Sequence, residues 1–198
     1  MKRIELLKPY IKGKKVLDVG FVQHNWEKSI SNPNWLHDKI RNEAKETIGI
    51  DCLEDDVNML KSKGYNAICA DAEEFNLNDK FDIIIAGELI EHLSNPGKFL
   101  CSARKHLKKE GKLIITTPNV FAFGNIARIM KLLFNIENID NPEHVNWYSK
   151  QNLFNLAERH GFKVLEYKTF YPDRYNPIFE KLPLRETKSK IFASLSLK

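Results

Sequence analysis

Five short apolar runs, none alternating polar with apolar, constrain this chain more than any other feature. Val16-Leu17-Asp18-Val19 stops at Gly20, Thr47-Ile48-Gly49-Ile50 at Asp51, and Asn66-Ala67-Ile68-Cys69-Ala70 at Asp71. Phe81-Asp82-Ile83-Ile84-Ile85-Ala86 stops at Gly87, and Lys112-Leu113-Ile114-Ile115-Thr116-Thr117 at Pro118. A strand with one wet face alternates, so unalternating β-branched runs suit parallel strands covered on both faces. Helical stripes lie between them. Leu53, Val57 and Leu60 share a face of a helix over 53–63 that stops at Gly64. Phe99, Leu100, Ala103 and Leu107 share a face of a helix over 96–109 that stops at Gly111. Glycine just beyond the last turn is the usual helix stop. Strand-helix-strand alternation with short links predicts right-handed crossovers and an α/β fold, a doubly wound, mostly parallel sheet.

A length of 198 residues fits a single domain, since domains usually run about 100–200 residues. No Gly/Ser linker, internal repeat or low-complexity stretch divides it, and the patterned core runs from about residue 14 to 170. Two regions break the rhythm. Ser31-Asn32-Pro33-Asn34 is a turn cluster, after which Asn34 is placed to cap a helix starting near Trp35. Beyond Pro118 the pattern predicts a helix over 120–134, a polar loop at 141–143, and a helix over 150–160 capped by Ser149. A strand over 162–170 follows, and residues 171–198 form a tail with no assignable pattern.

Composition excludes several classes. The 42% hydrophobic share is that of a globular chain rather than a disordered one. No run of about 18 apolar residues is present, so no membrane-inserted helix is expected. Met1-Lys2-Arg3-Ile4-Glu5-Leu6-Leu7-Lys8-Pro9 lacks the apolar stretch of a signal peptide, which points to a cytoplasmic protein. The 31 Lys+Arg against 26 Asp+Glu give a net charge of +5, but the cations are scattered. A nucleic-acid binder gathers them on one face with aromatics between, so a small-molecule partner is the better expectation. Cys52, Cys69 and Cys101 are odd in number and widely spaced, as reduced thiols are. Oligomeric state has no signature in the sequence.

In an open α/β sheet the ligand lies across the carboxyl ends of the strands where strand order reverses. The strand ends here carry Asp18 and Gly20, Asp51, Asp71 and Ala72, and Gly87 and Glu88. A glycine after the first strand allows a tight turn and close backbone approach. An acid ending the second strand can accept both hydroxyl hydrogens of a ribose. An Asp-Ala pair after the third can receive an adenine edge. One such acid is usually a cap or loop residue, but four successive ends of this kind favour a nucleoside-like cofactor.

These segments, with Phe81 to Leu93 and Gly111 to Asn119, resemble the ordered motifs of class I S-adenosylmethionine-dependent methyltransferases. His144-Val145-Asn146-Trp147-Tyr148-Ser149, with Leu153 and Gly161-Phe162, is similar to a segment common in the superfamily's small-molecule enzymes. The likeness covers about residues 14–170 and implies a Rossmann-like fold with S-adenosyl-L-methionine as cofactor. It implies roles by position: Asp18 and Gly20 near the methionine part, Asp51 at the ribose, Asp71 and Ala72 at the adenine, Gly87 and Glu88 near the sulfonium, with Phe21 and Cys52 also among the cofactor-binding residues. The acceptor is then an oxygen, nitrogen or carbon of a small molecule, sugar or lipid.

Two departures stand out. The family's Gly-x-Gly-x-Gly is here Gly20-Phe21-Val22-Gln23-His24, so Phe21 and Gln23 carry side chains where bare backbone normally meets the cofactor. The interval from Gly20 to Asp51 exceeds the roughly 20 residues usual in nucleotide folds, and its surplus, within 31–43, reads as a pocket flap or a surface insertion. For a base that takes the acceptor's proton, His144, His92 and His37 are candidates, because imidazole titrates near pH 6.5. His144 is preferred. Glu88, Glu91, His92 and His144 also resemble the Glu-x-x-Glu-His plus distant His of metal-assisted O-methyltransferases, an alternative to a metal-free site. A non-catalytic cofactor-binding protein is a further alternative, whereas the dehydrogenase fingerprint Gly-x-Gly-x-x-Gly is absent. Phe121, Phe123, Trp147 and Tyr148 are expected near the pocket mouth, facing an apolar or planar acceptor.

Overall fold

The structure, a computed structural model, describes residues 3–23, 25–122, 142–171 and 188–198. Its strands are β1 (Lys15–Val19), β2 (Glu46–Asp51), β3 (Ala67–Cys69), β4 (Phe81–Gly87), β5 (Leu107–Pro118), β6 (Phe162–Phe170) and β7 (Lys190–Leu197). They form one sheet in the order β3-β2-β1-β4-β5-β7-β6. All pair in parallel except β7, which runs antiparallel to both β5 and β6. The chain builds outward from β1 to β3 and returns to β4 on the other side of β1. That reversal opens a crevice at the carboxyl ends of β1 and β4, where Gly20 and Gly87 lie.

The helices are α1 (Arg3–Ile11), α2 (Trp26–Ser31), α3 (Leu36–Arg41), α4 (Glu54–Ser62), α5 (Pro96–His106) and α6 (Lys150–Arg159). One sheet face packs Leu17, Ile50, Ile84 and Ile115 against Phe99 and Ala103 of α5 and Leu153 and Ala157 of α6. The other packs Val16, Ile83, Ile85 and Ile114 against Leu7 and Ile11 of α1 and Leu36 and Ile40 of α3. Burial on both faces is why these strands read as continuous apolar runs. The Ser149 cap is present as a full capping box: its hydroxyl accepts from Asn152 N while the Asn152 side chain accepts from Ser149 N.

Three expectations change. The helix expected over 96–109 ends at His106, because Leu107 already pairs with Phe81 and residues 108–111 bulge before Lys112 meets Ile83. The unassigned tail supplies a whole strand, β7, slotted between β5 and β6 with Ile191, Phe192, Ala193 and Leu195 fully buried. The surplus segment within 31–43 is no loose flap: Trp35, His37 and Ile40 are fully buried within α3 and its approach. Most of the helix expected over 120–134 lies outside the described residues.

The long side chain in the glycine loop has a partner in β2. The Phe21 ring lies over Gly49, where a Cβ would come 2.6 Å from Phe21 Cγ. Stacking on Trp35, at 6.2 Å between ring centroids, limits the ring's freedom to retreat. Gly49→Ala is therefore an overpacking change and should cost about 1–3 kcal/mol. Thermal unfolding of the variant checks this, and an unchanged midpoint would show that the ring has room.

Candidate cofactor and acceptor site

Gly20 turns the chain out of β1 at φ +74°, and a Cβ there would meet Leu89 Cδ1 at 2.8 Å. The positive φ is what favours glycine here, since the Leu89 side chain could move aside. The Asp51 carboxylate reaches back to this turn: Oδ2 accepts from Val22 N at 3.0 Å and Oδ1 from Leu53 N at 3.3 Å. Burial raises its pKa above the ordinary value, while backbone donors from Val22 and Leu53 oppose the shift. Gln23 follows at φ +66°, so the loop keeps glycine-like backbone shape at a position without glycine. His24 lies outside the described residues.

The remaining strand ends are in line. Asp71 follows β3, exposed, with Oδ1 accepting from Glu73 N at 2.8 Å. Ala72 packs on the main core beside it. Cys52 is exposed, and its carbonyl lies 3.9 Å from Cys69 Sγ. Asp18 is 3% exposed, facing α3. Phe21 departs from expectation, because its side chain leaves the crevice for the cluster of Val22, Trp35, Val57, Leu60 and Ala67.

At the β4 end, Glu88 takes the left-handed conformation, φ +58°, a strain of roughly 1–3 kcal/mol for a residue with a Cβ. Its carboxylate pairs with Lys190, the first residue of β7, and with Arg3 at 3.4 Å. Nothing local in the sequence announces either partner, since both arrive from distant elements. Glu88 therefore does not join the cluster expected of it. Glu91, His92 and His144 do converge, each bringing a ligand atom within 4.8 Å of the others. The two imidazoles meet edge to face at 4.9 Å between centroids. Val145 N and Asn146 N both donate to the Glu91 carbonyl at 3.0 Å, which holds the His144 segment against the turn after β4.

Glu91 is 1% exposed. Thr117 Oγ1 donates to its Oε2 at 2.8 Å, while Oε1 is buried with no hydrogen-bond partner. Burial, reinforced by the charge of Glu88, pushes its pKa up to about 7. His92 Nδ1 lies 3.1 Å from the Glu143 carbonyl; a carbonyl accepts only, so Nδ1 carries a proton, and in the neutral ring the lone pair is on Nε2. His37, the third candidate base, is fully buried on Asp18 and out of an acceptor's reach. Of the four aromatics, Tyr148 is core, with burial and then the Glu91 charge raising its phenol pKa. Phe121 and Trp147 are exposed, and Phe123 is outside the described residues.

The methyltransferase-domain family matches residues 2–167 of this chain, most of its length. The chain belongs to the class I S-adenosylmethionine-dependent methyltransferases. Solved methyltransferases share its fold: one from Thermotoga maritima superposes with a TM-score of 0.67 at 17% identity, covering 98% of this chain and 87% of that one. Another, from Archaeoglobus fulgidus, gives 0.65 at 20% identity over 98% and 94%. Curated relatives carry the name ubiquinone biosynthesis O-methyltransferase. The protein of Coxiella burnetii is 24% identical over 183 residues, 88% of this methyltransferase and 73% of the relative. That of Bradyrhizobium diazoefficiens is 27% identical over 113 residues, so the match spans 41% of the relative's length. S-adenosylmethionine is the cofactor, and the residues present fit it: a bare-backbone turn at Gly20 and successive acids at the ends of β1, β2 and β3. Among the described residues no helix is long and apolar enough to cross a membrane.

Proposed function

We propose that this methyltransferase moves a methyl group to a hydroxyl oxygen of a small molecule with a planar ring. The observation that carries it is the convergence of Glu91, His92 and His144 on the turn after β4, whose Leu89 packs against Gly20 of the turn after β1. The names of the curated relatives support oxygen as the acceptor atom. The cofactor supplies an already activated methyl on a sulfonium. What the protein adds is alignment, worth up to roughly 7–11 kcal/mol in ideal cases, and removal of the hydroxyl proton. His92 Nε2 holds the lone pair suited to that proton, with Glu143 fixing the tautomer from the other side of the ring. His144, packed edge-on, borders the same point. Incubation with labelled cofactor and a panel of phenols, catechols and amines tests the reading. O-methylated product is expected, with His92→Asn slowed by about 100-fold or more, as general-base removal does. Methylated amines alone would overturn it.

A metal-assisted version of the same reaction is favoured by one observation: the unpartnered, buried Oε1 of Glu91. One carboxylate and two imidazoles suit a divalent ion, and the group it would polarise is again a hydroxyl. Glu91, His92 and His144 would hold it, without Glu88. Exhaustive chelation separates the versions. Turnover that survives supports base catalysis alone; turnover that collapses and returns with added magnesium or zinc supports the metal.

Asp51→Ala tests the cofactor side. A carboxylate bonded to ribose hydroxyls contributes about 1.5–3 kcal/mol, so affinity for S-adenosylmethionine should fall more than about tenfold while the fold persists. Unchanged affinity by calorimetry in a folded variant would remove Asp51 from the site.

A further inference from the structure

We infer that His37 is a positioning residue for the methionine end of the cofactor, acting through Asp18. The inference rests on placing the cofactor across the ends of β1 and β2, and it assigns a purpose to the segment that lengthens the interval between them. His37 lies on α3 within that segment and is fully buried. Its ring sits in an aromatic box, 4.7 Å from Phe21, 5.3 Å from Trp35 and 6.0 Å from Tyr65 between centroids.

A ring that only filled this space would be better served by carbon. Nε2 is buried with no hydrogen-bond partner, a standing cost that a phenyl ring would avoid. The polar return is on the other nitrogen, where Nδ1 meets Asp18 Oδ2 at 2.9 Å. Asp18 is itself 3% exposed, one residue short of the strand end and two before the Gly20 turn. With Oδ2 held by His37, Oδ1 is the oxygen left for a ligand. The methionine part of the cofactor carries an ammonium, and a nearly buried carboxylate with a fixed rotamer is suited to receive it.

The same box explains how the loop manages without its later glycines. Phe21 turns away from the cofactor onto Gly49 and Trp35, and Trp35 Nε1 donates to the Phe21 carbonyl at 2.7 Å. Loop and carboxylate are thus both held from α3 and its approach, by Trp35 and His37. On this reading α3 and its approach do the shaping that bare glycine backbone does elsewhere in the family.

Calorimetry on the whole protein with three ligands tests the assignment: S-adenosylmethionine, S-adenosylhomocysteine and 5′-methylthioadenosine, which lacks the amino-acid end. His37→Phe keeps the aromatic volume and loses the bond to Asp18. It should weaken the first two ligands about tenfold or more and the third by less than about twofold, as loss of a bond to a charged group implies. His37→Asn, whose amide nitrogen falls near Nδ1, should recover most of that loss; His37→Gln, whose amide falls near Nε2, should not. Equal weakening of all three ligands, or no weakening in folded variants, would make the ring a packing residue and overturn the inference. If His37→Phe does not fold, the Asn-to-Gln comparison decides on the same ratio. Asp18→Asn separates this from failure of the underlying placement. If Asp18→Asn is silent toward every ligand, the cofactor placement falls; if it is selective while His37 variants are not, only the role of His37 falls.

Discussion

Trp35→Ala should cost about 3–5 kcal/mol of stability, as loss of a fully buried tryptophan does. Trp35 is 0% exposed, stacks on Phe21, lies 5.2 Å from Tyr65 between centroids, and bonds the Phe21 carbonyl through Nε1. Removing it empties the centre of the cluster formed with Val22, Val57, Leu60 and Ala67. It also strands the Phe21 carbonyl in a site the indole had filled. Because Phe21 sits inside the turn proposed to bind the cofactor, a variant still folded at low temperature should also bind S-adenosylmethionine more weakly. Denaturant unfolding with calorimetry checks both. A loss below about 1 kcal/mol would mean that the segment within 31–43 is peripheral, contrary to its burial.

The second large effect is one of pH. The Glu91 carboxyl is raised from 4.5 to about 7 by burial first and the Glu88 charge second. A raised carboxyl pKa means that the folded state binds the proton more tightly. The associated stability is complete below about pH 4.5 and is lost as pH rises through 7. A shift of that size corresponds to on the order of 3 kcal/mol across the window. Glu91→Gln keeps an acceptor for Thr117 Oγ1 and cannot ionise. In chelator, wild type should therefore lose stability relative to the variant between pH 4.5 and 8. Parallel stability curves for the two proteins would show that Glu91 is ionised and satisfied at neutral pH. If a divalent ion binds there, adding it should flatten the wild-type curve and leave the variant unchanged, because a cation favours the carboxylate.

Much of the parallel half of the sheet was legible, because burial on both faces writes itself as apolar runs that need no knowledge of their neighbours. Gly20, Asp51, Asp71 and Gly87 could be placed at the strand ends for the same local reason. So could the Ser149 cap, whose partner is three residues away. What escaped was non-local. Lys190–Leu197 becomes a strand only because β5 and β6 leave a gap of its width, and its pairing partners lie far back in the chain. Glu88 looked like a ligand until Lys190 and Arg3 arrived from opposite ends of the sequence. Phe21 looked misplaced in a glycine loop, since neither Gly49 nor Trp35 could be read as its packing partner. His37 looked like a base; only the fold shows that Asp18 holds it inside.

A crystal structure of the protein with S-adenosylhomocysteine bound tests the placement of the site most directly. The expected density lies across the carboxyl ends of β1 to β4, with the ribose hydroxyls on Asp51, the adenine beside Asp71 and Ala72, and the amino-acid end at Asp18 and Gly20. The sulfur should point toward the turn after β4 that carries Glu91 and His92. Density on another surface, or with Asp51 remote from the ribose, would contradict the site described here.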